Sequence, residues 1–501
     1  MKLSVVINLL FLFLSLFSSA QESKIKILHS NQTYADQELY PDALILNGEV
    51  RVKHEGAIMT CKKALYYKVQ NRLYAYGDVY VNQGDTIKQY SNHLQYDGDS
   101  KKALSWGQVR VKDKDMTLTT DTLRFDRSTQ VLSYHCFGKI VTDKNILTSQ
   151  VGKYFAKDKK LTAKQNVKLV NPDMTLKTGH LDYNTNSGRS YLYGPSTIKN
   201  EDSDLYTERG IYNTKLSLGY LLSNSVIYHQ NNEIRGDSLY YNQSDDFASG
   251  SGNIVITDTV NKIVVKGDYG EIYRKIDSMI VTKRPLAISI VEKDSMYIHG
   301  DTISITGSEN KKLMRVYHHV KFFKSDLSGK CDSLVTRQAE GITELFNNPV
   351  LWSDKNQITG DSIRLISDKT TQKLDSLKIL KNAFIVNQDS IEGYNQINGR
   401  NMFGKFKDQR LSTLLVKGNG AVVNYARSED TKDLTAIMKM ECSNIIFSLE
   451  NNNIKTIRFL KQPAGKTYPP SEFPEDQALL KGFIWRGNER PLTNEDIFIH
   501  D

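Results

Sequence analysis

Proline is scarce in this sequence and is unevenly placed. Ten prolines occur in 501 residues, and five of them lie beyond residue 460. Because proline cannot donate to a β-ladder, the interior of a sheet excludes it. The proline-poor stretch 21–460 therefore predicts one long β-region, and the proline-rich stretch 461–501 predicts a separate tail. Helical periodicity is also missing beyond the first twenty residues.

Cysteine is equally rare. The four cysteines, Cys61, Cys136, Cys331 and Cys442, are far apart and match no metal-ligand spacing. Buried free thiols are the preferred interpretation. No Gly-x-Ser-x-Gly nucleophile elbow occurs either. The sequence predicts no cofactor, no metal site and no enzymatic activity.

Two further patterns resemble metal sites without predicting one. His318 and His319 are adjacent, and neighbours on a strand point to opposite faces and cannot share a metal. Gly-Asp-Ser/Thr triplets begin at Gly236, Gly300 and Gly360. A calcium ladder is one interpretation of these triplets, but Asp and Ser in turns before strands are preferred.

Long apolar runs are missing except at the N-terminus. Lys2 precedes the apolar run from Leu3 to Phe17, and the small residues Ser18 and Ala20 follow. This order is typical of a secretion signal. The run of about fifteen residues is shorter than the roughly 20 that span a bilayer, which favours a cleaved signal over a membrane anchor. We predict a signal peptide at 1–20 and a secreted product.

Charge of one sign is not concentrated anywhere. The net charge is +9, from 66 basic and 57 acidic residues. The sequence contains no Lys/Arg block of the kind that forms a nucleic-acid-binding arm. A solvated surface explains most of the charge, and an anionic, phosphate-bearing partner is the alternative.

What the sequence does contain is a repeat of about 29 residues, the kind of period that marks a stacked architecture. Its first element is a turn residue followed by alternating apolar positions, as in NGEVRV, YGDVYV, WGQVRV and FGKIVT. The glycines of these copies, Gly48, Gly77, Gly107 and Gly138, recur at near-constant spacing.

The second element places an aliphatic residue two positions before an aromatic or aliphatic one. It occurs as ALYY at 64–67, HLQY at 93–96, TLRF at 122–125, HLDY at 180–183 and SLYY at 238–241. Both elements have the period of two that is typical of half-buried strands. The prediction is an all-β fold, an elongated twisted β-jellyroll or β-solenoid of about thirteen two-strand repeats.

Because side chains alternate between the two faces of a strand, one set of apolar side chains is predicted to point into a shared interior. A filled, closed core is one interpretation of that interior. The other is an open trough for acyl chains, in which each buried methylene contributes about 0.8 kcal/mol. The predicted lining residues are Val50, Val52, Leu65, Tyr67, Val79, Val81, Leu94, Tyr96, Val109, Val111, Leu123, Phe125, Val167, Leu169, Leu181, Tyr183, Leu239 and Tyr241.

These tandem elements, together with the phrase LYAYGDVYVNQGDTI at 73–87, resemble the OstA/LptA family of periplasmic lipopolysaccharide-transport proteins, in its longer OstA-like branch. The match is best over residues 25–190 and weakens toward 460. The resemblance implies a twisted jellyroll that is open along one edge and shields lipid A acyl chains. It implies no catalytic residues. The length and the tail depart from short family members.

The resemblance also implies a place and partners. The place is the periplasm, with association with the outer membrane as an addition, and the chain would bridge the inner and outer membranes. The partners are lipopolysaccharide and related jellyrolls, LptC-like or LptD-like, or further copies of this chain joined end to end. We expect the first body strand, near Leu44 to Val52, to pair with such a partner. The alternative function is a structural or adhesive solenoid with a closed core and no lipid cargo.

The tail carries its own expectation. Phe483, Ile484 and Trp485 are costly to leave in water, so we expect this segment to dock on the body or on a partner. A poorly ordered extension is the alternative. A short helix near Glu475 to Lys481 is a further expectation.

Overall fold

The computed structural model describes residues 24–84, 87–114, 116–142, 144–229, 231–291, 294–308, 310–369, 371, 373–389, 393–408, 410–428, 430–450 and 453–500. The predicted signal peptide at 1–20 lies outside these ranges. Within them the chain forms 38 strands and six short 3-10 helices but no α-helix. The predicted all-β class is therefore confirmed.

The chain divides into two compact units, residues 1–217 and 218–501. The strands of unit 1 are β1 Lys26–His29, β2 Gln32–Ala35, β3 Ala43–His54, β4 Ala57–Tyr67, β5 Arg72–Gln83, β6 Ile87–Asp97, β7 Lys102–Asp113, β8 Met116–Asp126, β9 Val131–Tyr134, β10 Gly138–Val141, β11 Ile146–Ser149, β12 Val151–Phe155, β13 Lys160–Asn171, β14 Met174–Asn184, β15 Arg189–Lys199 and β16 Ser203–Asn213.

Unit 2 continues in the same manner, and its six 3-10 helices separate strands at turns or follow the last strand. Its strands are β17 Leu218–Ser223, β18 Ser225–His229, β19 Asn232–Gly236, β20 Ser238–Asn242, β21 Phe247–Asp258, β22 Ile263–Tyr273, β23 Ser278–Thr282, β24 Leu286–Val291, β25 Asp294–His299, β26 Thr302–Thr306, β27 Leu313–Lys324, β28 Leu327–Arg337, β29 Ile342–Phe346, β30 Val350–Ser353, β31 Asn356–Thr359, β32 Ser362–Ser367, β33 Leu374–Gln388, β34 Tyr394–Lys407, β35 Arg410–Arg427, β36 Leu434–Glu450, β37 Asn453–Leu460 and β38 Ala464–Tyr468. The 3-10 helices are Arg274–Ile276, Gln338–Glu340, Pro470–Glu472, Glu475–Gln477, Gly487–Glu489 and Asp496–Phe498.

A corner recurs along the chain, in most copies inside a ladder and in others between two short strands. In β3 the register shifts between Asn47 and Val50, and the intervening Gly48 and Glu49 have φ of 75° and 47°. Two residues of one strand thus oppose a single residue of the neighbouring strand. This arrangement is a β-bulge, and it bends the strand. The repeat pattern predicts these glycines as turn residues before alternating apolar positions, whereas Gly48 lies within strand β3. The same pair of positive φ values recurs at 77–78, 107–108, 165–166, 252–253, 283–284, 318–319, 347–348, 381–382, 418–419 and 461–462.

The residue that lies opposite a corner on the neighbouring strand forms hydrogen bonds with the corner residues. The backbone N–H of Asp237 donates to the Gly252 carbonyl at 2.9 Å, and Asn253 Nδ2 donates to the Asp237 carboxylate at 2.9 Å. Asn382 donates in the same way to Asp361 at 2.9 Å. The Gly-Asp-Ser triplets thus place their aspartates where the bulge needs an acceptor.

The corner folds each long strand over. Along the ladder, Asn82 opposes both Ile58 and Lys88, so the end of β3 lies level with Lys88. Tyr96 is eight residues further along, about 26 Å away on a straight strand. Yet His54 Nδ1, at the end of β3, lies 2.8 Å from the Tyr96 hydroxyl. The two halves of the strands therefore face each other as two half-sheets.

The free ends of the two half-sheets in unit 1 approach each other along a mouth. We call these ends the first rim and the second rim. The first rim contains His54, Gln83, Asp113 and Asn145, and the second rim contains Tyr96, Lys101, Arg127 and Lys159.

Gly107 tests the corner. Alanine there would keep the positive φ of 77° and would place a Cβ 3.0 Å from Asn92 Cβ. The left-handed backbone alone costs alanine about 1–2 kcal/mol, and the contact adds to it. We expect Gly107→Ala to lower the free energy of unfolding, measured with urea, by more than Gly56→Ala does. Gly56 also has positive φ (82°), with no atom within 4 Å of its ideal Cβ. Equal losses would contradict a crowded corner.

Candidate functional site

The space between the half-sheets is the candidate functional site. Of the 18 residues predicted to line it, 16 are buried and the other two, Tyr67 and Val81, are half-buried. Burial alone does not assign a face, so the ladder partners decide which side chains point inward. Whether any of these residues binds lipid stays a prediction.

Leu65 and Tyr67 correct the predicted set. In the ladder they oppose Ile45 and Ala43, and directly opposed residues share one face. Leu65, Ile45 and Ala43 form a cluster with Tyr40, Tyr67, Tyr74 and Tyr76. This cluster lies on the outer face, because the inward side of β4 carries Ala64 and Tyr66. In ALYY the inward pair is thus one residue earlier than predicted, and a one-residue slip reverses the face.

The interior of unit 1 contains a narrow apolar cavity of about 40 Å³. Five predicted residues line it, namely Val52, Val81, Leu94, Tyr96 and Phe125. Both half-sheets contribute to this lining. One water molecule needs about 10–15 Å³ of cavity volume, so the cavity has room for only a few water molecules. An acyl chain would enter only if the half-sheets separated further.

Side-chain bonds join the two rims across the mouth, and we call these bonds latches. The first latch centres on Arg127, which donates to the Tyr96 hydroxyl at 2.8 Å and to Gln83 Oε1 at 3.2 Å. The same tyrosine bonds to His54, and burial raises its pKa, so it stays a neutral phenol. Beside it, Lys101 Nζ lies 2.9 Å from Glu55. This pair lies at the protein surface and lowers the pKa of Glu55.

The second latch is a buried ion pair. Lys159 Nζ lies 2.5 Å from Asp113 Oδ2, and the Asp113 side chain is 1% exposed. The Tyr154 hydroxyl donates to the same oxygen at 2.9 Å. Burial, and then the Asp113 charge, raise the pKa of Tyr154, which keeps it a donor. A neighbouring bond joins Asn145 Nδ2 to the Tyr183 hydroxyl at 3.0 Å.

Unit 2 has bonds of the same kind between strand ends. Arg274 Nη1 lies 3.3 Å from His229 Nδ1, and its guanidinium stacks over the Tyr241 ring at 5.2 Å. Gln338 Nε2 donates to Asn261 Oδ1 at 3.0 Å. Polar bonds between strand ends therefore occur in both units.

The predicted partner edge is wrong in its location. β3, which holds Leu44 to Val52, pairs with β4 on one side and with β1 and β2 on the other. Its backbone groups are thus already used by the chain itself. β1 and β2 are exposed along their whole length, and no described ladder covers their second edge. An incoming strand would therefore meet β1 and β2.

The C-terminal tail docks on the outer face of unit 2. Leu480 is buried in a cluster with Phe384, Val386, Ala421, Val423 and Ile437, and Phe483 and Trp485 pack against it. Two buried glutamines hold the tail backbone. Gln396 bonds to Ala478 O and Leu480 N at 2.7 and 2.8 Å, and Gln357 bonds to Ile484 O and Arg486 N at 2.7 and 2.6 Å.

This arrangement bears on two expectations for the tail. Phe483 and Trp485 lie against the body, whereas Ile484 stays 66% exposed. The expected helix near Glu475 to Lys481 is only a single 3-10 turn, Glu475–Gln477. The 3-10 turn ends at Ala478, whose carbonyl is bound by Gln396, and Gly482 follows with a φ of 90°, a conformation that an α-helix does not contain.

The two adjacent histidines form separate ion pairs. His318 and His319 occupy a corner rather than a straight strand, and their rings bond to different aspartates, Asp332 at 3.1 Å and Asp301 at 2.9 Å. Within the described ranges, no three His, Cys, Asp or Glu side chains form a metal-binding group.

The thiols are free, but one of them corrects a prediction. Cys61, Cys331 and Cys442 are buried, as expected, and burial raises the pKa of Cys61 and Cys331 to about 12. Cys136 is exposed. It lies beside the corner at Phe137, where the chain leaves the ladder and uncovers it.

Comparison with known families supports this architecture. Residues 22–179 match the family model described as OstA-like protein. Residues 289–373 match the model described as LptA/(LptD N-terminal domain) LPS transport protein. The chain is OstA/LptA-like. The resemblance predicted from the repeats is therefore confirmed, and it extends into unit 2.

The other comparisons add little to the OstA/LptA-like assignment. A solved structure of LptH, the LptA-homologous periplasmic component of the lipopolysaccharide transport device from Pseudomonas aeruginosa, shares 14% identity over 24% of this chain and 83% of its own, with a TM-score of 0.22. No curated protein matches the chain. In the described part of the chain, no helix has the length and apolarity to cross a membrane.

Sequence reasoning missed the latches of this OstA/LptA-like chain. Arg127 and Lys159 lie in turns and Asp113 ends a strand, and charged residues are ordinary at such places. The only available signal was the repeated occurrence of a charged residue beside the last apolar position of a strand. Which of these residues meet depends on the twist between the half-sheets.

Lys159 tests the second latch. Replacing it with methionine leaves Asp113 buried without its cation, and removing one partner of a buried pair costs about 3–5 kcal/mol. The matched control is Lys160→Met, since Lys160 is 45% exposed in its pair with Asp182, and an exposed pair contributes about 0–1 kcal/mol. We expect urea unfolding to show a much larger loss for Lys159→Met. Similar losses in both variants would contradict a buried latch.

Proposed function

We propose that this chain is a periplasmic lipopolysaccharide-transport protein that shields lipid A acyl chains between its half-sheets. The family matches at 22–179 and 289–373 carry the proposal. The apolar interior supports it, because alkyl chains there are removed from water at about 0.8 kcal/mol per methylene. The role is transport rather than catalysis.

Loading requires the mouth to open. The interior cavity of about 40 Å³ is too small for a fatty chain. The latches are polar bonds between two otherwise separate rims, so breaking them frees the half-sheets to move apart without breaking a ladder. In this proposal, the lipid widens the interior and occupies the positions around Val81 and Phe125.

Photocrosslinking from paired positions tests the cargo. Val81 and Phe125 line the cavity, whereas the Tyr80 ring packs against the Tyr90 ring and Arg124 is exposed. We expect a photoreactive residue at Val81 or Phe125 to label lipopolysaccharide in cells several times more strongly than one at Tyr80 or Arg124. Equal labelling from both faces, or none from either, would contradict the proposal.

A second function is favoured by one observation, the small size of the cavity. A structural or adhesive protein with a closed core needs no space between its half-sheets. In that case none of the four crosslinking positions would label lipopolysaccharide, and Lys159→Met would change stability alone.

We further propose that a partner jellyroll, LptC-like or LptD-like, or a second copy of this chain, adds a strand to the edge formed by β1 and β2. Ile27, Leu28 and Tyr34 are 37, 48 and 47% exposed on these strands. Exposed edge strands recruit other chains through their free N–H and C=O groups. The bridge between two membranes would be built from such contacts.

A proline at Tyr34 tests this edge. Asn31 N–H donates to Gly48, so alternation in the ladder directs the N–H of Tyr34 away from β3. We expect Tyr34→Pro to weaken self-association of the mature chain. Its Kd, measured by sedimentation, should rise about tenfold or more. Val69→Pro, in an exposed turn, is the control. Unchanged association of a Tyr34→Pro variant that melts like the wild type would rule out this edge.

A further inference from the structure

A wide polar cleft lies over the second latch of unit 1. Its volume is about 940 Å³, and both rims line it. Lys114 and Lys144 come from the first rim, and Lys159 and Lys215 from the second. The cleft is much larger than the apolar cavity between the half-sheets and differs from it in character.

The four lysines give the cleft a positive character. Lys114, Lys144 and Lys215 are exposed, and the Lys215 ammonium also donates to the Asn186 carbonyl at 2.6 Å. Two carboxylates, Asp113 and Asp173, line the same cleft. Lysines that converge on one cleft bind phosphate groups as point charges.

The floor of the cleft presents buried acceptors. Asp113 is 2% exposed and Asn145 is 8% exposed. Asp113 Oδ1 and Asn145 Oδ1 accept no hydrogen bond from any described group. Buried acceptors are normally satisfied, and leaving one without a donor is unfavourable. A ligand that brings hydroxyl donors would satisfy both.

Cations at the walls and acceptors at the floor together specify a ligand with phosphates and hydroxyls. We propose that this cleft binds the phosphorylated sugar head group of a lipid. Lys114, Lys144 and Lys215 would bind its phosphate, and Asp113 and Asn145 would accept from its sugar hydroxyls. The inference rests on the proposed function, since the same lipid would carry the acyl chains.

The position of Lys159 connects the head group to the mouth. Its ammonium bonds to Asp113 in the latch and also lines the cleft. A phosphate in the cleft would compete with Asp113 for this ammonium, because both are anionic oxygen acceptors. Head-group binding would thus weaken the latch that closes the interior beneath it.

Calorimetric titration of the full mature chain with purified lipopolysaccharide tests the site. The variant Lys114→Gln/Lys144→Gln/Lys215→Gln should raise Kd about tenfold or more, the scale of a lost charge-assisted contact. The control Lys112→Gln/Lys168→Gln/Lys177→Gln removes the same charge from exposed positions outside the cleft and should change Kd less than about twofold. Both variants should melt like the wild type, because all six lysines are exposed or lie at the rims.

Soluble probes separate the two parts of the ligand. Glucose 6-phosphate should compete with lipopolysaccharide for the wild type, and glucose without phosphate should not compete at the same concentration. Competition by inorganic phosphate alone, at the same strength as glucose 6-phosphate, would overturn the role of the sugar acceptors Asp113 and Asn145.

The failure of this inference differs from the failure of the proposed function. If the cleft variant binds lipopolysaccharide as the wild type does while Val81 still labels it, the head-group site is wrong and the transport function stands. If the outer-surface control loses affinity equally, the cleft has no specific role. If the wild type binds no lipopolysaccharide, the proposed function fails first.

Discussion

The two-residue corner is the constraint on which the rest of this structure depends. A strand of 12 residues would otherwise be a straight ribbon about 40 Å long, with both faces open to water. The positive φ at Gly48 and Glu49 bends the ladder without ending it. Because the bulge recurs in most repeats, the bends stack and two half-sheets face each other. The interior, the rims and the latches all follow from that fold-over.

The interior and the mouth obey different physical rules. Between the half-sheets, apolar side chains such as Val52 and Phe125 exclude water and pack without directional bonds. At the mouth, charged groups such as Asp113 and Lys159 pair directly with each other across the two rims. A hydrophobic seam would hold the half-sheets permanently, whereas a polar latch can exchange its partners for water or for a ligand.

Prediction from sequence succeeded where the periodicity was clean. Leu94, Tyr96, Leu123 and Phe125 were assigned to the interior by alternation, and their ladder partners put them there. The motif ALYY was misassigned because Tyr66 and Tyr67 are both aromatic, and alternation cannot choose between them. Packing of Tyr40 over Leu65 makes that outer face apolar as well. The tail has the same effect on unit 2, where it covers Phe384 and Val386.

The sequence alone determined the all-β class, the repeat and the pattern of buried positions, because period-two alternation and the exclusion of proline are local properties of a strand. Tertiary structure alone decided which rim residues meet, which edge stays open and how much space remains inside. Those outcomes depend on the bend at each corner and on the twist accumulated over several repeats. Arg127 and His54 are 73 residues apart in sequence, and no local pattern specifies their contact.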